Sequence, residues 1–202
     1  MPVVPDSSGD FSLLDWGKAY LKESRDKKGN VFLGVVHRID RPVSGIVCFA
    51  VTSKAASRLS DQMRRREIKK TYIGLSDKRP PGMKGRLEHW LLKDRRENRV
   101  TLFDKPAEGA KKAVTSWKYK GVEKGFHKLL LFPETGRPHQ LRAQCAAMGC
   151  PLAGDAKYGS RHPFARGAIG LHALGMDMVH PVKKIVMKFR TTCDFRHFPI
   201  ST

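Results

Sequence analysis

Two short apolar runs, 31–36 and 46–51, bracket a polar stretch from His37 to Gly45 in which one carboxylate, Asp40, stands between Arg38 and Arg41. Both runs are rich in β-branched residues, so Val31 to Val36 and Ile46 to Val51 read as strands and the polar stretch as their connection. A charged loop on a rigid sheet is where binding and catalytic side chains concentrate.

The rest of the pattern mixes helices with more strands. Leu13 to Lys22 reads as a helix after a polar loop, and Ser53 reads as the N-cap of a second helix in which Ala56, Leu59 and Met63 recur at helical spacing. Thr71 to Leu75, Ala113 to Tyr119 and Lys128 to Phe132 have strand character, with a Pro/Gly-rich connection from Arg79 to Gly85 and a turn around Gly121 to Gly125. A third helix is expected after Thr135-Gly136-Arg137, with Pro138 in its first turn and Gly149 and Pro151 ending it. Leu141, Cys145 and Met148 then share a core face, and His139 and Arg142 lie on another. Strands and helices do not alternate regularly, so the expectation is an α+β fold, a mainly antiparallel mixed sheet flanked by helices.

The chain has 202 residues, enough for one domain with a real core, and 39 Lys and Arg against 19 Asp and Glu leave a net charge of +20. Such a surplus calls for a polyanion, and a phosphate backbone that releases counterions on binding is the leading one. No run approaches the length of a membrane span, and the N-terminal residues lack the layout of a signal or transit peptide, so a cytoplasmic, monomeric protein is expected. Four cysteines without a C-x-x-C pair are expected as reduced thiols.

Asp40 beside two guanidiniums is expected to be ionised, as a nucleophile or electrostatic stabiliser and not as an acid. The same residue could equally cap a turn or pair with arginine at the surface. His37, Asp40 and His139 suggest a metal, as in a metal-dependent nuclease, but no metal-type motif supports them. Ser44 with His and Asp evokes a hydrolase, but G-x-S-x-G is missing. No glycine-rich phosphate loop is present, so neither a metal nor an organic cofactor is expected.

The run His37-Arg38-Ile39-Asp40-Arg41-Pro42-Val43-Ser44-Gly45-Ile46-Val47 resembles the H-R-L-D-x-x-T-S-G-[LI]-[LV] signature of RluA-type pseudouridine synthases. Further stretches resemble that family in order: Lys70-Thr71-Tyr72 its K-x-Y, and Thr135 to Arg142 its T-G-R-x-H-Q-[IL]-R. Gly149 to Gly159 resembles its G-x-P-[IL]-x-G-D-x-x-Y-G, and Leu171-His172-Ala173 with His180-Pro181 its closing L-H-A…H-P. The resemblance spans roughly positions 31 to 181 and implies a pseudouridine synthase catalytic domain that detaches a uracil, turns it over and reattaches it through carbon.

By the same resemblance Asp40 is the catalytic aspartate, Tyr72 the tyrosine that stacks on the target base, and Arg142 the arginine that pairs with the aspartate. Arg38 would take part in flipping the uridine, and Arg41, Arg137, His139 and Lys70 would contact RNA, either ribosomal or transfer RNA. Arg64-Arg65-Arg66, Arg95-Arg96 and Lys111-Lys112 are phosphate contacts only where they reach the cleft. Val43 departs from the pattern's Thr, which puts the loop's hydrogen bonding in question. The family's opening strand, ending in Lys-Pro, and any appended RNA-binding module are expected to be missing from a single domain over 1–202. A catalytically inactive RNA-binding protein or chaperone on the same fold is the rival expectation.

Overall fold

The computed structural model describes residues 1–193 apart from 27, 95 and 166. Helix α1, Leu13–Ser24, is followed by three two-residue strands, β1 Gly34–Val35, β2 Ser44–Gly45 and β3 Phe49–Ala50. Then come α2, Ser53–Arg64, and the long strands β4 Lys69–Ser76, β5 Lys84–Asp94, β6 Arg99–Phe103, β7 Lys111–Glu123 and β8 Phe126–Pro133. Helix α3, Gln140–Ala147, a 3-10 turn at Ala156–Tyr158, β9 Leu171–Val179 and the edge strand β10 Val186–Arg190 complete the described residues.

The main sheet runs in the order β10-β9-β4-β8-β7-β5-β6, antiparallel throughout, and β2 adds to it in parallel beside β9. The expected α+β class and mainly antiparallel mixed sheet are what the chain adopts. Arg95 lies outside the described residues. The thiols of Cys48, Cys145 and Cys150 are free.

Several local expectations shift. The apolar runs at 31–36 and 46–51 pair only over Gly34–Val35 and Phe49–Ala50, in a small separate sheet. Thr52, not Ser53, caps α2, because its hydroxyl accepts the Ala55 N–H at 3.2 Å. β7 continues to Glu123, past the expected start of the turn. Pro138 stands outside α3, whose first helical residue is Gln140. Strand β5 escapes the sequence pattern because most of its residues are only partly covered, and β10 because it is an edge strand with four of five residues exposed.

Apolar packing fixes where these elements meet. Leu129 and Leu131 of β8 are fully buried with Tyr72, Trp117, Val43, Leu141 and Leu152 in the largest cluster, which ties the central strands to α3 and to the 37–45 loop. Each such leucine contributes about 2 kcal/mol. Helix α2 closes the other end through Leu59 against Ile68, Met176 and Met178. Its Gln62 side chain also pairs with both backbone groups of Val179, at 2.9 and 3.1 Å, in the manner of an added strand.

Candidate active site

The 37–45 loop leads from the small β1–β3 sheet to β2, which pairs with β9 of the main sheet. The Val43 N–H donates to Asp40 C=O at 2.9 Å, closing a turn around Arg41-Pro42, and Pro42 C=O accepts from Ile169 at 3.0 Å. Val43 itself is buried in the main cluster. The bonds that close the loop around Val43 therefore run through backbone, and a hydroxyl at this position is not needed to close them. At Gly45 the backbone has φ of 113°, and an added Cβ would lie 2.4 Å from the Ala173 carbonyl oxygen. Only glycine permits that approach, which pairs β2 with β9 and delivers Asp40 to the sheet's rim.

Tyr72 sits on the central strand β4, opposite Leu131 of β8 and Ala173 of β9. The β4–β9 register slips between Thr71 and Tyr72, a local irregularity of the kind that re-aims side chains at sites. Burial, and then the nearby Asp40 carboxylate, push its hydroxyl pKa up to about 12, so the phenol stays protonated at neutral pH.

Helix α3 forms the facing wall and is bound to β7 by a polar ladder. Val114 N–H donates to the Thr135 hydroxyl at 2.9 Å, which donates to Gln140 Oε1 at 2.7 Å, and that oxygen also accepts the Arg137 N–H at 3.0 Å. One turn on, the Thr115 hydroxyl donates to Gln144 Oε1 at 2.7 Å, while Gln144 Nε2 donates to Ala113 C=O at 3.2 Å. These contacts explain why the segment carries Thr135, Gln140 and Gln144 among apolar neighbours: each is buried and satisfied.

Arg142 projects from this helix into a buried junction, where the sequence pattern had placed it on an outer face. It is 6% exposed. Its Nε and Nη2 hold both oxygens of Asp155 at 2.7 and 2.8 Å, a bidentate pair, and its Nη1 reaches Asp40 Oδ2 at 3.3 Å. The guanidinium lies 5.1 Å from the centre of the Tyr158 ring. Asp155 is almost fully buried, while Asp40 keeps over a quarter of its side chain exposed. Arg142 thus hangs on an internal carboxylate and presents its remaining N–H groups to the one that faces the cleft. Asp155 belongs to the G-D pair at 154–155 in the Gly149–Gly159 stretch, a signal for a special residue, and only the fold shows its partner.

Asp40, Tyr72, Arg142, Arg38, Arg41, Lys70, Arg137 and His139 all line one cleft of about 980 Å³. Within it their situations differ. Arg38 is exposed, and Lys70 is half-buried, with burial pushing its ammonium pKa down. Arg41 turns to the N-terminal loop, pairing with Asp10 and donating to the Ser8 hydroxyl at 3.1 Å. Arg137 Nε donates to the Lys112 carbonyl at 3.0 Å. Of the basic runs, Arg64 and Arg66 reach the cleft, whereas Arg65 pairs with Asp61 and Glu67 and Lys112 with Glu88. His37 is turned inward: its Nε2 accepts the Cys48 N–H at 2.9 Å. No group of three His, Cys, Asp or Glu that could hold a metal ion occurs among the described residues.

A sequence model described as RNA pseudouridylate synthase matches residues 1–147. The chain belongs to the RNA pseudouridylate synthase family. Membership makes it an isomerase that converts uridine to pseudouridine in RNA. An uncharacterised RNA pseudouridine synthase of Zymomonas mobilis is 34% identical over 154 residues, 74% of this chain and 68% of that protein. The ribosomal large subunit pseudouridine synthase C of Buchnera aphidicola is 32% identical over 185 residues, covering 84% of this chain but only 56% of its own length. The solved structure of human RNA pseudouridylate synthase domain containing 4 superposes with a TM-score of 0.77 at 19% identity, over 96% of this chain and 82% of that one, which confirms the synthase fold.

Proposed function

We propose that Asp40 is the catalytic carboxylate of this pseudouridine synthase and that the cleft between the 37–45 loop and α3 takes an everted uridine from structured RNA. The observation that carries this reading is the Asp40–Arg142 contact at 3.3 Å in the floor of the shared cleft. Breaking the C1′–N1 bond develops positive charge on the ribose, which a neighbouring anion stabilises or traps. The freed uracil turns, C5 bonds to C1′, and the C5 proton passes to a base. Arg142, immobilised by Asp155, holds Asp40 aimed into the cleft and leaves its Oδ1 without a partner among the described residues.

Tyr72 stacks on the target base with its hydroxyl protonated. Arg38 helps to hold the nucleotide out of its stack, and Lys70, Arg137, His139 and Arg41 contact RNA, Arg41 after exchanging its carboxylate partners for phosphate. The substrate is ribosomal or transfer RNA, and the name of the Buchnera relative favours ribosomal RNA. The chain works as a single catalytic domain, as a monomer and in the cytoplasm. No helix among the described residues is long and apolar enough to cross a membrane. Nothing in the site favours an inactive RNA-binding protein, since Asp40, Tyr72 and Arg142 converge.

The test is tritium release from RNA carrying uridine tritiated at C5. D40N, a near-isosteric neutral change, should lower turnover by on the order of 10³-fold while leaving RNA binding within a few-fold. Equal turnover by D40N and wild type would overturn the assignment. Separate ribosomal and transfer RNA substrates decide the class.

A further inference from the structure

His139 enters α3 with left-handed backbone, φ 50°, and makes no side-chain cap bond. That conformation is strained for a non-glycine residue, so tertiary contacts must hold it. The contact is with Tyr158 of the 3-10 turn: His139 Nδ1 lies 2.8 Å from the Tyr158 hydroxyl oxygen, and the rings meet edge to face. The same oxygen accepts the Val100 N–H at 3.0 Å. Tyr158 is itself buried, with the Arg142 and Arg99 guanidiniums 5.1 and 5.7 Å from its ring centre.

Val100 supplies one hydrogen to the oxygen, and Nδ1 is the acceptor within reach of the hydroxyl's own hydrogen among the described residues; with that hydrogen directed to it, Nδ1 accepts. A neutral imidazole that accepts at Nδ1 carries its hydrogen on Nε2, and Nε2 has no partner among the described residues. We propose that Tyr158 is a positioning residue that locks His139 as a neutral, Nε2-protonated donor, which gives its hydrogen to an acceptor oxygen of the RNA bound beside Asp40. This deepens the reading of the cleft as the RNA site and rests on it.

The surroundings keep the ring uncharged. Burial leads in lowering the His139 pKa, and Arg142, Lys157 and Lys93 act in the same direction, while Asp40 opposes them. A protonated ring would donate from Nδ1, displace the Tyr158 hydrogen and compete for the Asp40 carboxylate. Tyr158 therefore guards the anion as well as the donor.

Nitrogen-15 NMR of the free protein reads the lock without any substrate, with H139Q assigning the signals. A protonated Nε2 and an unprotonated Nδ1 at pH 7 are expected; an Nδ1–H tautomer or an imidazolium would overturn the proposal whether or not the enzyme turns over. In Y158F the His139 titration should rise by about one pH unit, and the acid limb of kcat/KM should move up with it. A limb and titration left in place by Y158F would also overturn it. H139F should lose about tenfold or more in turnover, in kcat if the acceptor belongs to the uracil and in KM if it is a phosphate. H139Q, whose amide donates but does not titrate, should restore most of that loss and abolish the limb. Failure of H139Q to differ from H139F would sink the donor role even if Y158F does not fold.

Discussion

Helices α1 and α3 are held by opposite means. Twelve-residue α1 is made by local rules: the Ser12 hydroxyl accepts the Asp15 N–H, the Asp15 carboxylate accepts the Ser12 N–H, and the helix has no buried residue. Its Trp16 and Tyr20 stack on each other at the surface, 51% and 56% exposed. Eight-residue α3 starts from a left-handed residue without a cap bond, yet Gln140 through Cys145 are all buried. A helix this short is marginal in isolation, so its neighbours hold it. The difference separates a helix that supports the chain from one that exists to place a guanidinium. Variants of α3's partners should therefore cost stability and activity together, and variants of α1 stability alone.

The largest effect on stability is expected at Asp155. D155N leaves the Arg142 charge buried against a neutral amide, and removing one partner of such a pair costs about 3–5 kcal/mol. Turnover should fall by on the order of tenfold or more even at temperatures where the variant is folded, because Arg142 is then free to swing from Asp40. Urea unfolding followed by initial rates below the transition checks both. Full activity in a destabilised D155N would show that the Asp155 pair serves α3 only as a structural anchor.

The loop facing α3 shares its dependence on tertiary surroundings, and pH exposes it. Burial, then the Lys70 charge, lowers the His37 pKa from the usual 6.5 to about 4. Between those values the unfolded chain binds the proton and the folded one does not. Stability is thus fully present above pH 6.5 and is lost as pH falls toward about 4, by at most about 3 kcal/mol. Urea midpoints from pH 7 to 4.5 should show the decline, and H37Q should flatten it. An equal decline in H37Q would assign it to other groups.

The same contrast explains what could be read from the sequence. α1 and α2 were legible to within about two residues because their caps and periodicity are local signals, and the strands β4, β7 and β8 because they are rich in β-branched, aromatic and other apolar residues. Asp40, Tyr72 and Arg142 were legible as motif residues, and the cleft does bring them together. Asp155 and Tyr158 stand in the matched Gly149–Gly159 stretch, but their roles were not legible, because their partners stand 13 and 19 residues earlier, at Arg142 and His139, and only the fold joins them. Arg142 was placed on an outer face because apolar periodicity cannot foresee a buried charge whose partner comes from elsewhere. A smaller break in the same wall sharpens this point: Q144L strips the hydrogen bonds from Thr115 and Ala113 and should cost about 1–3 kcal/mol, with turnover falling alongside.

The smallest effect should come from α1. Ser12 is fully buried, and its replacement by alanine removes the two bonds its hydroxyl makes with Asp15, at a cost of about 1 kcal/mol, while the backbone N–H of residue 12 keeps the Asp15 carboxylate. The helix nonetheless keeps two tertiary ties to the N-terminal segment, Leu13 N–H to Pro2 C=O at 2.8 Å and Leu14 N–H to Val3 C=O at 3.1 Å. That segment lines the cleft through Pro2 to Asp6, so it is the one route by which α1 could reach the chemistry. If the two helices are as separate as their construction implies, S12A lowers the urea midpoint and leaves kcat and KM within about twofold. A loss of turnover beyond that, in a protein still folded, would mean that α1 holds the cleft wall and that the division between supporting and placing helices fails at the N-terminal segment.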